Sequence, residues 1–491
     1  MKKEKIETAE QLAKRKASEA REIAKLEREK AKPRVLGYAF FFLLIISMVY
    51  LVDEVTTNTG KFMGTIVADY FFENGRAQGN TIKTICEFGI MLFSGIAMVL
   101  RPLADRYGRK LFLVLYTIGM GLGLSIIGIS HAIPGYVIGA IFIQFCIPHD
   151  MHAIYIQECA PANKRGTYYS ICKGIATMGL VLIPILRDIF KVNEVGHPEA
   201  WRNIYLIIAA IAFVMAVLAA FLMRESDAYI DNRLAQLRLS DEERRAQKEQ
   251  EGIDNEKYGI IEGLKHMFKN KQLLWLGIAF GFVFISYQLT SNYDVVLKYG
   301  WGKKTIPGFD PMMFLENAEL SVMGNARINQ MLYFYPVGCA LVEFLPGILA
   351  DKLGRKKATS FFAVGSIVSY VLFYIGSMNA WNPHFLGFLI GAACGCVWSY
   401  GDLLLLMTSE SVETNLRVSV NTAVYLFSGA FYGVGMGVFA LCTLSGNDGL
   451  IAPVTLVMAA VGLTVGTFFL FTRVKDTKDV DISTVKASDF N

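Results

Sequence analysis

A charged side chain in the middle of a long apolar block is costly unless it meets a partner or water, so such residues are the first candidates for chemistry. Asp53 and Glu54 fall toward the end of one block, and His149, Asp150 and His152 crowd another. A partly desolvated carboxylate can load and release a proton near neutral pH, and a histidine can relay one. These five are therefore candidates for proton handling, with an interfacial pair facing outside water as the other reading of Asp53 and Glu54. Lys173 stands eight residues after Arg165, about 12 Å of helix, deep enough for its ammonium to reach the centre of a bundle. There it would favour an anion such as a carboxylate. Snorkelling back to the membrane surface is its alternative. Asn329, Glu343, Trp398 and Asp402 are further polar or aromatic candidates for the same site, while Arg187 and Asp188 are expected at an interface.

A second set of charges repeats. Leu103-Ala-Asp105-Arg106-Tyr-Gly108-Arg109-Lys110 returns as Leu349-Ala-Asp351-Lys-Leu-Gly354-Arg355-Lys356. Glu158 with Arg165 is matched in the same way by Glu410 with Arg417, again seven residues apart. The glycines allow the backbone of a tight connection. Carboxylates near helix N-terminal amides, and guanidinium groups able to pair across a helix interface, make an ionic latch that can form in one conformation and break in another. Asp105, Arg106, Gly108, Arg109, Glu158 and Arg165 form one candidate gate, and Asp351, Gly354, Arg355, Glu410 and Arg417 the other. Setting membrane orientation is the plainer role for these cations, and duplication at equivalent points argues against it as their only one.

The elements that must hold these residues follow from hydropathy. Apolar residues make up 53% of the chain and charged ones 19%, and mean hydropathy is +0.39, outside the ordinary soluble range. The apolar residues gather into blocks about as long as a bilayer-crossing helix: 35–56, 81–100, 111–130, 133–157, 168–190, 201–223, 271–297, 327–350, 358–378, 384–408, 419–444 and 449–472. The expected fold is thus all-α and polytopic, with twelve transmembrane helices in two six-helix halves. Its parts are a helical tail 1–34, a bundle 35–223, a linker 224–270 with short helices, a bundle 271–472 and a tail 473–491. Twelve Lys or Arg in the tail 1–34, with more after spans two, four, six and eight, put both termini in the cytoplasm of a cell-membrane protein. This asymmetry accounts for the formal charge of +5 without a nucleic-acid partner. No cleavable signal peptide is apparent. Seven of the eight cysteines fall inside spans, and no disulfide framework, metal set, nucleotide loop or nucleophile–base pair is visible. No cofactor and no enzymatic activity are expected.

The paired DRYGRK-type loops resemble the signature of the major facilitator superfamily of secondary transporters, and the similarity in layout covers nearly the whole chain. Tyr155-Ile-Gln-Glu158-Cys-Ala-Pro161-Ala-Asn-Lys-Arg165-Gly166 is similar to the fourth-helix string of its sugar-porter branch, with Ala153 in place of the first Pro. Glu225-Ser226 and Asp476-Thr477-Lys478 resemble two further strings of that branch. The resemblance implies two halves rocking about a central site, a functional monomer, and Asp53 as the proton acceptor of proton-coupled members. The Arg that pairs with this acid in such members is replaced by Ile138. Lys173 occupies the position of a sugar-binding Gln, and Gln288-Leu-Thr290-Ser-Asn292 partly resembles the string lining the sugar site. The function expected from all of this is proton-coupled uptake of a small organic anion across the lipid bilayer. A sugar or polyol porter, drug or cation efflux, and a non-transporting nutrient sensor are the alternatives. Close-packing helix faces are expected at Gly119-x-x-x-Gly123 and at Gly429-x-x-x-Gly433-x-x-x-Gly437.

Overall fold

A computed structural model of the chain describes residues 9–33, 37, 40–71, 86, 89–90, 93, 96–97, 104, 107–147, 151–160, 165–192, 194, 199–240, 242–243, 260–412, 417–443 and 448–478. Regular structure among them is helical throughout. Among the described residues, ten helical stretches are long and apolar enough to cross a bilayer, and Ile133–Cys146 is a shorter apolar helix. Of the second expected span, 81–100, residues 86, 89–90, 93 and 96–97 are described, all helical, and the rest lie outside the described residues.

After α1 (Ala9–Ala31), the first span is α2, Phe41–Phe62, followed by α3, Gly64–Phe71. The span ends six residues later than hydropathy placed it, because Thr56, Asn58 and Thr59 are polar yet buried inside the bundle. Asp53 and Glu54 consequently lie in mid-helix. The fourth span divides into α5 (Ile133–Cys146) and α6 (Met151–Cys159), after α4 (Arg109–Ile129). Ile147 between them is extended, as the residue before a proline tends to be. The fifth span is α7 (Arg165–Met178), a 3-10 turn and α8 (Leu182–Ile189), and the sixth is α9, Trp201–Leu222.

In the linker, Ser226 caps α10 (Asp227–Arg238) by accepting from the Tyr229 amide. A capping box is present too: Ser240 N donates to Glu243 at 2.8 Å, and Glu243 N to Ser240 Oγ at 3.2 Å. After α11 (Ile260–Lys269), the seventh span breaks. Helix α12 (Lys271–Ser286) ends in a 3-10 turn, Asn292 is left-handed at φ 58°, and α13 runs Tyr293–Thr305. Beyond the short α14 (Met313–Glu316), the eighth span is α15 (Ala318–Glu343) and α16 (Pro346–Leu353), starting nine residues earlier than expected with Asn317 as its N-cap. The remaining spans are α17 (Arg355–Met378), α18 (Pro383–Glu410), α19 (Arg417–Thr443) and α20 (Ile451–Arg473).

The tightest packing joins α15 to α18. A Cβ on Gly387, Gly391 or Gly395 would stand 1.9, 2.1 or 2.9 Å from the carbonyl oxygens of Met331, Tyr335 and Cys339. The expected stripe at Gly119 and Gly123 is close-packed as well, against Cys146 and the Gly139 carbonyl. Gly429 and Gly437 are not, since a Cβ on either would meet nothing within 4 Å. Spacing alone does not say which face of a helix has a neighbour.

Candidate functional site

At mid-depth the two halves meet through charge. The Lys173 ammonium, on α7, pairs with Asp402 of α18 and lies 3.5 Å from Glu343 Oε1 at the end of α15. Thr177, one turn on from Lys173, donates to the other Glu343 oxygen, and Tyr169, one turn before it, donates to Asp402 at 3.4 Å. The Lys173 and Glu343 side chains are only 7% and 0% exposed, while Asp402 keeps 29%, so it is Asp402 that faces water. Glu54 on α2 lies within electrostatic reach of Lys173 and Lys61. Lys61 in turn sits 5.4 Å above the Trp398 ring and donates to Thr290 Oγ1 at 3.5 Å. Sequence reasoning reached Lys173, Glu54, Glu343, Trp398 and Asp402 but missed Lys61, Thr177 and Tyr169. An inward helical face at 54, 57 and 61 would have been the signal for Lys61, and the i±4 neighbours of Lys173 on α7 the signal for Tyr169 and Thr177.

The remaining candidates lie elsewhere. Asp53 is buried against His152, with Oδ2 3.7 Å from Nδ1, and the Tyr50 ring stacks on the imidazole at 4.7 Å. This places Asp53 inside the first half rather than at an aqueous interface. His149 and Asp150 lie outside the described residues. Gln288 is buried with its amide against Met436, and Asn292 forms the left-handed break before α13. Asn329 does not meet Lys173. It donates to Asp188 at 2.6 Å and to the Pro184 carbonyl at 3.3 Å.

That contact belongs to a closure at the end of the bundle opposite the termini. Tyr333 also donates to Asp188, at 2.7 Å. Asp294 of α13 accepts from the amide of Thr65 at the start of α3, 2.9 Å away, where a carboxylate favours the helix dipole. Lys298 lies 4.0 Å from Asp69. Arg187, expected at an interface, is fully buried and donates to the Phe62 carbonyl, the last residue of α2, at 2.6 Å.

The duplicated latches lie within each half. Arg109 Nη2 is 3.1 Å from Glu158 and Nη1 donates to the Ala104 carbonyl at 2.8 Å. Arg355 repeats this with Glu410 at 2.8 Å and the Ala350 carbonyl at 3.0 Å, and adds Asp351 at 3.1 Å. A carboxylate and a hydroxyl complete each one. Glu225 accepts from the Arg109 amide and Ser226 donates to Glu158; Asp476 accepts from the Arg355 amide and Thr477 donates to Glu410. Burial pushes the Glu225 carboxyl above the usual carboxylate range, against the amides of Ser226, Lys110 and Arg109 that favour its ionised form. The pairing of Glu225-Ser226 with Asp476-Thr477 as structural equivalents was not read from the sequence. Gly108 and Gly354 have φ of 102° and 88°, the left-handed side that favours glycine. Asp105 and Arg106 lie outside the described residues, as do the side chains of Arg165 and Arg417.

A family model of the Major Facilitator Superfamily matches residues 34–324. No curated protein sequence matches the chain. Among solved structures, the proton:xylose symporter XylE of E. coli is similar with a TM-score of 0.60 at 15% identity, over 91% of this chain and 98% of that one. The E. coli fucose:proton symporter FucP is similar at 0.51 and 12%, over 90% and 100%. A bacterial homologue of the human lysosomal transporter Spinster, inward-facing and unoccupied, is similar at 0.54 and 13%, over 89% and 98%.

Proposed function

The chain belongs to the major facilitator superfamily, and from that premise we propose that this secondary transporter moves a small polar solute together with protons by alternating access, as a monomer with both termini in the cytoplasm. The observation that carries the reading is the Lys173–Asp402–Glu343 cluster, which ties the two halves at mid-depth with charges that cannot all stay buried once the halves separate. Motion at this site is thereby linked to charge compensation, which is what coupling to an ion requires.

Asp53 and His152 are the proposed proton carriers. They form a buried acid–imidazole pair in the first half, where a proton can be held away from water. The carboxylate solute expected from the sequence loses its ground. Lys173 is already held by two carboxylates, and an incoming anion would meet Glu54, Glu343 and Asp402 together. Two of the similar structures are by name symporters of xylose and fucose, which favours a sugar or polyol, but at their identities the likeness extends to the fold alone.

The test uses proteoliposomes with an imposed pH gradient and an internal pH dye, challenged with sugars, polyols, amines and carboxylates. A solute that moves protons in the wild type is then offered to Asp53→Asn. This variant is expected to exchange solute across the membrane and to lose accumulation driven by the gradient. Undiminished accumulation in the variant would remove Asp53 from the coupling role.

A further inference from the structure

We propose that the transported solute carries an ammonium group, which takes the place of Lys173 between Glu343 and Asp402. The proposal rests on the reading of this cluster as the solute site and names the chemistry that the site accepts.

Glu343 and Asp402 travel together. They lie on α15 and α18, whose backbones are in direct contact along Gly387, Gly391 and Gly395, so the two carboxylates form one rigid acidic wall. Their cation comes from the opposite half, on α7. Any movement that parts the halves withdraws Lys173 from that wall and leaves two carboxylates deep in the bundle. Such a state is expensive unless another cation arrives. Glu343 shows the need most clearly: its side chain is fully buried, and its Oε1 accepts no hydrogen bond among the described residues. Among the described residues, the charged partner it meets across the gap is the Lys173 ammonium, 3.5 Å away.

What Lys173 occupies is already an ammonium site. Besides the two carboxylates, the Tyr169 ring centroid lies 6.0 Å from Nζ, at the edge of the range in which an aromatic face attracts a cation. Asp402 supplies the partly exposed side through which a solute can exchange. Among the described residues the site also has more acid than base, with Glu54, Glu343 and Asp402 against Lys173 and Lys61. A neutral sugar would leave the wall without the charge that Lys173 withdraws and an anion would deepen the deficit, whereas a monocation restores it. Asp53 and His152, the proposed proton carriers, lie on the other half with their own contact.

Lys173 then behaves as a tethered competitor, present at an effective concentration in the millimolar range. Thermal unfolding of the purified protein tests this at constant ionic strength with ethylammonium, putrescine, γ-aminobutyrate, D-xylose and acetate. The ammonium probes are expected to raise the unfolding temperature of the wild type, and Glu343→Gln is expected to abolish the shift. Lys173→Ala is expected to bind ethylammonium about tenfold more tightly than the wild type. If Lys173→Ala does not fold, the wild type and Glu343→Gln decide. Stabilisation by xylose or acetate with none by the three ammonium probes overturns the proposal, as does a wild-type shift that Glu343→Gln leaves intact. Absence of any ammonium effect also overturns it. Proton movement in proteoliposomes is a separate readout: an amine that binds at Glu343 without moving protons upholds the ammonium site and removes the proton-coupling reading.

Discussion

Gly108 and Gly354 occupy equivalent positions with the same handed backbone, yet the side chains around them differ. A Cβ on Gly108 would stand 2.2 Å from Glu225 Oε2, while one on Gly354 would stand 3.0 Å from Asp476 Oδ2. Both substitutions to Ala put a Cβ in a positive-φ, extended-ψ backbone region that is essentially confined to glycine, at a cost of about 1–3 kcal/mol. Gly108→Ala must in addition push the Glu225 carboxylate off the amides of Arg109 and Lys110. Thermal unfolding should therefore rank Gly108→Ala clearly below Gly354→Ala, and equal loss would mean that Glu225 swings aside freely. The glycines themselves were legible in the sequence because a tight turn constrains its own residues. Their carboxylate neighbours were not, since Glu225 is 116 residues from the amide it accepts. The same limit explains Asp53: hydropathy ended the first span where polar residues begin, but those residues face inward and the helix continues to Phe62.

Helix α1 shows what a whole element adds. Its sequence has no broad apolar stripe, which hid its partner, but charge supplies what apolar area does not. Ile23 and Leu26 pack beside Tyr229, Ile230, Leu234 and Leu237. Around them Glu22 takes Arg233 through two contacts of 2.8 and 3.3 Å, and Glu27 takes Arg238 at 2.7 Å. Helix α10 is in turn part of the first latch, since Arg109 lies 5.3 Å over the Tyr229 ring and Ser226 holds Glu158. Partly exposed pairs of this kind contribute about 0.2–1 kcal/mol, so one lost pair should loosen α1 without unfolding the bundle. Glu22→Arg or Arg233→Glu alone is expected to speed hydrogen exchange of the α1 amides several-fold, and the double variant to restore protection. If the double variant stays as loose as either single one, α1 is held by its apolar residues and the pair is incidental. The glycine stripe of α18 makes the complementary point, because regular spacing appears both there and on α19, and only packing against α15 gives one of them a role.

At the scale of the molecule, the two halves and their duplicated latches were legible in the sequence because the chain repeats them. Which end is closed was not. A protein that alternates between two arrangements encodes both, and the contacts that choose between them are few. Here the halves are joined at mid-depth by Lys173 and, at the end away from the termini, by Asp188 with Asn329 and Tyr333 and by Asp294 with the Thr65 amide. The described latch pairs, Arg109 with Glu158 and Arg355 with Glu410, each lie within one half. Asp188 is exposed, so its two hydrogen bonds together are worth about 1–2 kcal/mol, a factor of about 5–30 in a two-state equilibrium. Asp188→Ala should shift the population toward opening at that end by this factor. Spin labels at Glu194→Cys and Glu316→Cys, one on each half in a background freed of native cysteines, report the change directly. A longer distance population is expected to grow in the variant while the unfolding temperature moves little. An unchanged distribution would assign the closure to Asp294 and the central cluster, and Asp294→Ala would then be the variant that opens it.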